Sequence, residues 1–331
     1  MDHRLPDDHT MKAALALAVR APSVHNTQPW RFRIGERSVH IHLDPTRALT
    51  PTDPDQRDLV LSCGTALHHL RIALAAMGWS AVVHRLPNPA DRNHLASIEL
   101  VPNRPTMTDI ALSAAITDRR TDRRNYSSKP LPPGYLGLVT ERAAEFGGVI
   151  RQAAYESRNR LVEAMNAAAR QHPEDPDYQL ELAAWSGKHD TTDGAPARDT
   201  PPPHTSQRTP SQVFTPPRLV DSIREPDYAE LLVLGTAADD RLSRLRAGEA
   251  ASAVLLTATN VGLATCLLTE PLQIPELRKK IRHGVLDDAT FPQAIIRIGW
   301  LPDDTPPLPM PPRRTVDELL DPFDAEETTA H

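Results

Sequence analysis

The chain has 331 residues, enough for one large domain or two medium ones, and its 40 % apolar and 24 % charged content places it among globular proteins. A net charge of −6 excludes a general polyanion binder but leaves room for a local pocket that takes a small anion. The opening "MDHRLPDDHT" carries no apolar run of the secretory kind, and the apolar stretch Val254 to Leu268 is interrupted by Thr257, Thr259 and Asn260 and too short to span a bilayer. A soluble cytoplasmic protein with no membrane partner is therefore expected. Cys63 and Cys266 sit inside apolar runs and read as buried, reduced thiols.

In chain order, Thr10 is placed to cap a helix "MKAALALAVR" that stops before Pro22. The segment "SVHNTQPW" follows, and "WRFRI-GER-SVHIHLD" alternates on both sides of Gly35, the pattern of a β-hairpin. "QRDLVLSCGTALHHLRIALAAMG" has helical apolar spacing at Leu59, Leu67, Leu70, Leu74 and Met77, with His68 and His69 on different faces. Strands "WSAVVHRL" and "LASIELV" and a helix "TDIALSAAI" lead into "TDRRTDRRNY". The second half runs helix, strand "GVIRQAA", helix "ESRNRLVEAMNAAARQ", then a stretch from His172 to Pro217 in which the pattern fails. It is Pro-rich and poor in apolar residues, as expected of a lid or linker. Strand "AELLVLGT", helix "RLSRLRAGEAASAVLLTATNVG", strand "LATCLL", a short helix near "PELRKKIRH", strand "PQAIIRIGW" and a Pro-rich arm complete the chain.

Gly64, Gly78 and Pro87 recur 184 positions later as Gly248, Gly262 and Pro271. Each unit is a helix with a glycine near its start and another at its C-cap, then a strand closed by proline. The expected organisation is α+β, two diverged repeats fused in one chain: 1–117 and 118–331, the second carrying the lid at 172–217 and the arm at 301–331. The copies are unequal, so one site built from a piece of each half is expected.

Two motifs carry chemistry. In "RRTDRR" the guanidinium groups of Arg119, Arg120, Arg123 and Arg124 and the Thr121 hydroxyl match phosphate oxygens, with Arg313 and Arg314 of "PPRR" as a second cluster. In the "SVHNTQPW" segment, Asn26 and Gln28 offer groups that both donate and accept, which suits the acceptor–donor–acceptor edge of an isoalloxazine. Pro22 and Pro29 stiffen that loop. The ligand read from these residues is FMN, its ring at Ser23 to Gln28 and its phosphate at the arginines.

"APSVHNTQPW" resembles the ring-binding segment of the FMN-dependent nitroreductase superfamily, and "RRTDRR" looks like that superfamily's Arg-x-Ser-x-Arg/Lys phosphate motif, with Thr121 in place of the usual serine. Their order, together with "SCGTALHHLRIAL", "RLSRLRAGEAA" and "RRTVDELL", is similar to the fused Acg-like branch; Arg244 stands where a tryptophan is the norm of that branch. The resemblance implies a nitroreductase-like sandwich, one FMN per chain and a covering loop. It implies that Pro22, Ser23, Val24 and Asn26 meet the ring, with Gln28 beside them. Arg119, Thr121 and Arg123, with Arg313 or Arg314, hold the phosphate, and the strand end at Thr269 and Glu270 offers a backbone N–H to flavin N5.

No third ligand accompanies His40-x-His42, so no zinc site is expected. No dinucleotide-binding or P-loop glycine pattern occurs, and the arginine run lacks the aromatics of a nucleic-acid surface. Two functions follow. One is an oxidoreductase that accepts hydride from NAD(P)H and reduces a nitroaromatic, quinone or related small molecule, with the flavin supplying the chemistry and no catalytic dyad required. The other is an FMN-sequestering protein whose lid covers the ring. A monomer is expected, since the two halves complete each other.

Overall fold

Two long apolar helices, α2 (Arg57–Ala76) and α7 (Arg241–Asn260), cross at a pair of glycines. The computed structural model describes residues 5–185, 192–194 and 226–322. Both helices are buried along most of their length, Asp58 to Leu70 and Ala247 to Ala258 without a break. A Cβ added at Gly64 would run into Leu245 O and come 2.9 Å from Gly248 Cα; one added at Gly248 would meet Leu61 O and come 2.8 Å from Gly64 Cα. The crossing thus joins positions 184 apart, and so does the hydrogen bond from His68 Nδ1 to Ser252 Oγ, 2.8 Å. His69 Nδ1 reaches the same Ser252 Oγ at 2.8 Å. The two histidines therefore converge on one buried hydroxyl instead of lying on separate faces. Among the described residues one helix, Arg57–Ala76, is long and apolar enough to cross a membrane, and 78 % of its apolar window is buried inside this fold.

Around the first crossing helix stand α1 (Asp8–Ala18), β1 (Trp30–Ile34), β2 (Ser38–Leu43), β3 (Trp79–Arg85), β4 (His94–Pro102) and α3 (Met107–Asp118). Around the second stand α4 (Tyr135–Ala144), β5 (Val149–Ala153), α5 (Tyr155–Gln171), α6 (Pro176–Trp185), β6 (Glu230–Thr236), β7 (Ala264–Leu268), α8 (Glu270–Gln273), α9 (Pro275–Leu286) and β8 (Phe291–Gly299). The fold is α+β with two sheets, ordered β3-β4-β2-β1 and β7-β8-β6-β5, and each order comes from the same sequence of antiparallel pairings. The arm then returns to the first sheet: after α10 (Val316–Leu319), β9 (Leu320–Asp321) pairs parallel with β1, and Arg31 forms an ion pair with Asp321.

Burial explains the strand patterns. The second sheet is covered by α4 and α7 on one face and by α5, α8 and α9 on the other, so β6 and β8 are apolar nearly throughout. The first sheet packs one face on α1 and α2 and alternates. On its outer face the expected histidine pair is a trio: His40 Nδ1 lies 3.0 Å from His94 Nε2, and His42 stacks on His94. Among the described residues no group of three His, Cys, Asp or Glu is arranged to hold a metal.

Two boundaries differ from the sequence expectation. The first helix begins at Asp8 because Asp7, not Thr10, caps it, accepting from Thr10 N at 2.7 Å. Within the expected lid, residues 172–185 form a 3-10 turn (His172–Glu174) and α6, held by few but definite contacts. Tyr178 and Leu182 are buried, the His172 ring stacks on Tyr178, and the Glu181 carboxylate accepts from Thr52 N at 2.9 Å. The Pro-rich part of that stretch, apart from 192–194, lies outside the described residues.

Candidate functional site

The "SVHNTQPW" loop is fixed against α2. Val24 to Asn26 make a 3-10 turn in which His25 and Asn26 hold φ of 47° and 56°, with Gln28 at 50°, a conformation costly for residues with a Cβ. The surroundings enforce it. Thr65 Oγ1 donates to Pro22 O at 2.6 Å, Val24 N to Ser62 Oγ at 3.1 Å, Gln28 N to Ser23 Oγ at 3.0 Å, and Arg47 to Thr27 O.

"RRTDRR" runs along the edge of the second sheet, where Thr121 bridges Thr265 and Asp122 N donates to Thr265 O at 2.9 Å. An extended backbone sends alternate side chains to opposite sides. Arg119, Thr121 and Arg123 reach the cleft. Arg124 does not: its guanidinium forks onto Asp122, with Nε 3.0 Å from Oδ1 and NH2 2.6 Å from Oδ2, so the four arginines do not converge as a group. Arg119 is buried, and its Nε finds no hydrogen-bond partner. Burial, then repulsion from Arg120 and Arg20, brings its pKa down to about 10, and no carboxylate among the described residues acts on it. A cation held this way is set to meet an anion.

Two joined chambers make up the cleft. One is walled by Pro22, Ser23, Asn26, Arg119, Thr121 and Arg313, with Arg120 and Arg123 alongside. The other shares Pro22, Ser23, His25, Thr121 and Arg123 and continues past Val24 to Asp58, Ser62 and the β7–α8 corner at Thr269, Glu270 and Gln273. At that corner Thr269 Oγ1 donates to Asp58 Oδ2 at 2.6 Å, Gln273 Nε2 donates to the same oxygen at 2.8 Å, and Glu270 Oε1 lies 3.3 Å from His172 Nδ1. Burial raises the pKa of Asp58, while the hydrogen bonds from Gln273 and Thr269 oppose the rise. Burial, and then the nearby Asp58, lift Asp53 to about 8.

Of the residues singled out in the sequence, Pro22, Ser23, Val24, Asn26, Arg119, Thr121, Arg123, Thr269, Glu270 and Arg313 line the cleft. Gln28 and Arg314 do not. Gln28 is fully buried and uses both ends of its amide on the chain, donating to Thr192 O at 2.8 Å and accepting from Arg314 N at 2.9 Å. Asn26 Nδ2 likewise donates to Gly194 O at 3.1 Å and Pro312 O at 3.3 Å. Arg313 caps the exposed carbonyls after α1, donating to Val19 O at 2.9 Å and to Arg20 O and Ala21 O at 3.2 Å, as a cation at a helix C-terminus does. Arg244, the departure in α7, donates to Asp55 O at 3.1 Å. Asp58, Ser62 and Gln273 are the cleft residues that sequence reasoning missed. Asp58 reads there as an ordinary acid in a first helical turn, and nothing in "EPLQ" marks Gln273.

The comparisons bear on what this cleft belongs to. The chain is 47 % identical over 324 residues to "Putative NAD(P)H nitroreductase Rv3131" of Mycobacterium tuberculosis (strain ATCC 25618 / H37Rv), covering 97 % of this chain and 94 % of that one. It is 37 % identical over 319 residues to "Putative NAD(P)H nitroreductase acg" of the same strain, covering 94 % and 95 %. This chain belongs to the Acg-like nitroreductase family. No protein-family model matches it. Among solved structures, the Acg-like chain is similar to the FMN and NADPH-dependent nitroreductase NfnB from sphigopyxis sp. strain HMH, with a TM-score of 0.40, 16 % identity, and 63 % and 97 % of the two chains covered.

Proposed function

We propose that this Acg-like protein is an FMN-dependent oxidoreductase that takes hydride from NAD(P)H and delivers it to a small oxidised acceptor such as a nitroaromatic or a quinone. The observation that carries this is Arg119: a buried guanidinium whose Nε has no hydrogen-bond partner, and on which no carboxylate acts, among the described residues, at one end of a two-chamber cleft. A phosphate monoester supplies what that end lacks. FMN, when bound, supplies the two-electron chemistry. The chain's own residues bind and orient: Arg119, Arg123 and Thr121 hold the phosphate, Pro22, Ser23 and Val24 wall the ring, and Thr269 and Glu270 close its far side. Asn26, Gln28 and Arg314 keep the loop, 192–194 and the arm in register around it.

The matching strand orders and the crossing of Gly64 with Gly248 support a chain made of two diverged repeats, 1–117 and 118–331, with one site between them and a monomeric working form. The names of the relatives in Mycobacterium tuberculosis favour nicotinamide as the donor.

Purified protein is expected to be yellow, to yield one FMN per chain on extraction, and to bleach when NADPH or NADH is added without oxygen. Two flavins per chain would overturn the single site. A protein that stays yellow with both donors would overturn the oxidoreductase reading in favour of FMN sequestration.

A further inference from the structure

Asp58 differs from the other acids of the cleft in how its carboxyl is held. It stands in the first turn of α2, is 5 % exposed, and walls the far chamber beside Thr269 and Gln273. Both hydrogen bonds it accepts from side chains fall on Oδ2. Oδ1 accepts none from the described residues, and the Asp58 side chain lines the cleft. Arg57 pairs with Asp239 and, at 3.0 Å, with Gln293 Oε1; its charge and that of Arg278 oppose, without cancelling, the effect of burial on Asp58. Behind Asp58 lies a second buried carboxyl, Asp53, bridging Arg57 N at 2.7 Å and Leu59 N at 3.0 Å. Two carboxyl groups sharing one helix end out of water do not both ionise readily, and one keeps its proton toward neutral pH. With two donors already on Oδ2, Oδ1 is the oxygen left to carry it.

We propose that Asp58 is the proton donor of this site, its Oδ1–H delivering the proton that the oxidised acceptor takes up along with a hydride. The proposal rests on the oxidoreductase reading above. The balance closes with the co-reactants of that reading. NAD(P)H is oxidised and supplies the hydride by way of FMN; the acceptor is reduced. On a nitro group one N–O bond breaks, and the hydride hydrogen and the Asp58 proton leave with that oxygen as water, giving the nitroso compound. On a quinone the same two hydrogens become the O–H groups of the hydroquinone. Asp58 is left as carboxylate and regains its proton from water entering the cleft. The titratable and charged groups around it are Asp53 and Arg57 on its own side, Arg278 of α9, Glu270 of α8 with its partner His172, and His25 and Arg123 across the cleft.

The test uses flavin-loaded protein. First, the visible spectrum of the bound flavin is followed against pH without turnover, because a carboxyl opening on the cleft perturbs that spectrum as it ionises. The wild type should show one transition above the usual carboxylate range, and Asp58→Asn should lack it. Asp53→Asn should keep the transition at lower pH, since a neighbouring negative charge is gone. Second, pre-reduced protein is mixed with a quinone in a stopped-flow instrument. Asp58→Asn should slow reoxidation on the order of 10²- to 10⁴-fold, the usual worth of a general acid, and abolish its basic limb. If Asp58→Asn does not fold, Asp58→Glu keeps the acid and should keep the transition. A transition that survives in Asp58→Asn, one that is lost in Asp58→Glu, or unchanged reoxidation overturns the assignment of Asp58. Failure of both nicotinamides to reduce the wild type counts against the oxidoreductase reading itself.

Discussion

Replacing Arg119 with methionine separates what this side chain does for the fold from what it does for a ligand. The guanidinium is held by two long contacts, NH1 to Thr121 Oγ1 at 3.4 Å and NH2 to Arg20 O at 3.3 Å. Burial and its arginine neighbours lower its pKa from the ordinary guanidinium value to about 10. A depressed pKa on a base means that the charged form is disfavoured in the folded state. The penalty is present at every pH below about 10 and fades as pH rises toward the ordinary guanidinium value; near neutrality it is on the order of 3 kcal/mol. Methionine keeps an apolar stem and removes the charge, so the flavin-free variant should melt at a higher temperature than the wild type. Bound phosphate reverses the balance. A charge-assisted hydrogen bond contributes about 1.5–3 kcal/mol, so FMN should bind roughly 10- to 150-fold more weakly to the variant. Riboflavin, which has no phosphate, should bind both proteins alike. Fluorescence-quenching titrations give the affinities and scanning calorimetry the melting temperatures. If riboflavin is weakened as much as FMN, or the flavin-free variant is less stable while FMN affinity is intact, Arg119 is a structural cation and the phosphate assignment is wrong.

Gly64→Ala and Gly248→Ala should each cost about 1–3 kcal/mol or more, as overpacking does, because the obstructing atoms are backbone. The double variant should cost less than the sum, as expected for neighbours that share one strained contact, and urea unfolding of the four proteins checks this. The buried Asp53–Asp58 pair, whose carboxyl pKa values burial raises, favours the fold at low pH and loses that contribution as pH rises toward 8 and the pair ionises. Asp53→Asn should flatten the fall of melting temperature across that window, and an unchanged slope would show that another group titrates. Cys63 and Cys266 are fully buried, and burial raises both thiol pKa values, so neither should react with a disulfide reagent until the chain unfolds. Rapid labelling of the native protein would refute this.

What was legible in the sequence is what local chemistry decides. The hairpin from Trp30 to Leu43 declares itself by alternation about Gly35, and its register follows. The recurrence of Gly64 as Gly248 could be seen because a close helix crossing tolerates no side chain on either partner. The alternation within "RRTDRR" separates Arg119, Thr121 and Arg123 from Arg124, but only once the segment is known to be extended along β7. Long-range partners were invisible. Asp58 becomes a cleft group through residues more than 200 positions away. The amides of Asn26 and Gln28, read from sequence as groups for a ligand edge, have the chain's own 192–194 and arm as partners in this structure. Helix α6 escaped notice because its anchoring rests on Tyr178, Leu182 and one carboxylate, too little to set a period.

The arm that leaves the second sheet, caps α1 through Arg313 and ends as a strand beside β1 ties the two walls of the cleft into one covalent piece. A pocket assembled from separate molecules is diluted along with them and loses its ligand when they part. Here each wall sees the other at a fixed effective concentration set by the chain, whatever the amount of protein present. Ligand affinity should therefore not depend on protein concentration. Each cleft residue also exists once per pocket, so a substitution on one wall is not copied onto the other. Each wall is thus free to change without altering the other.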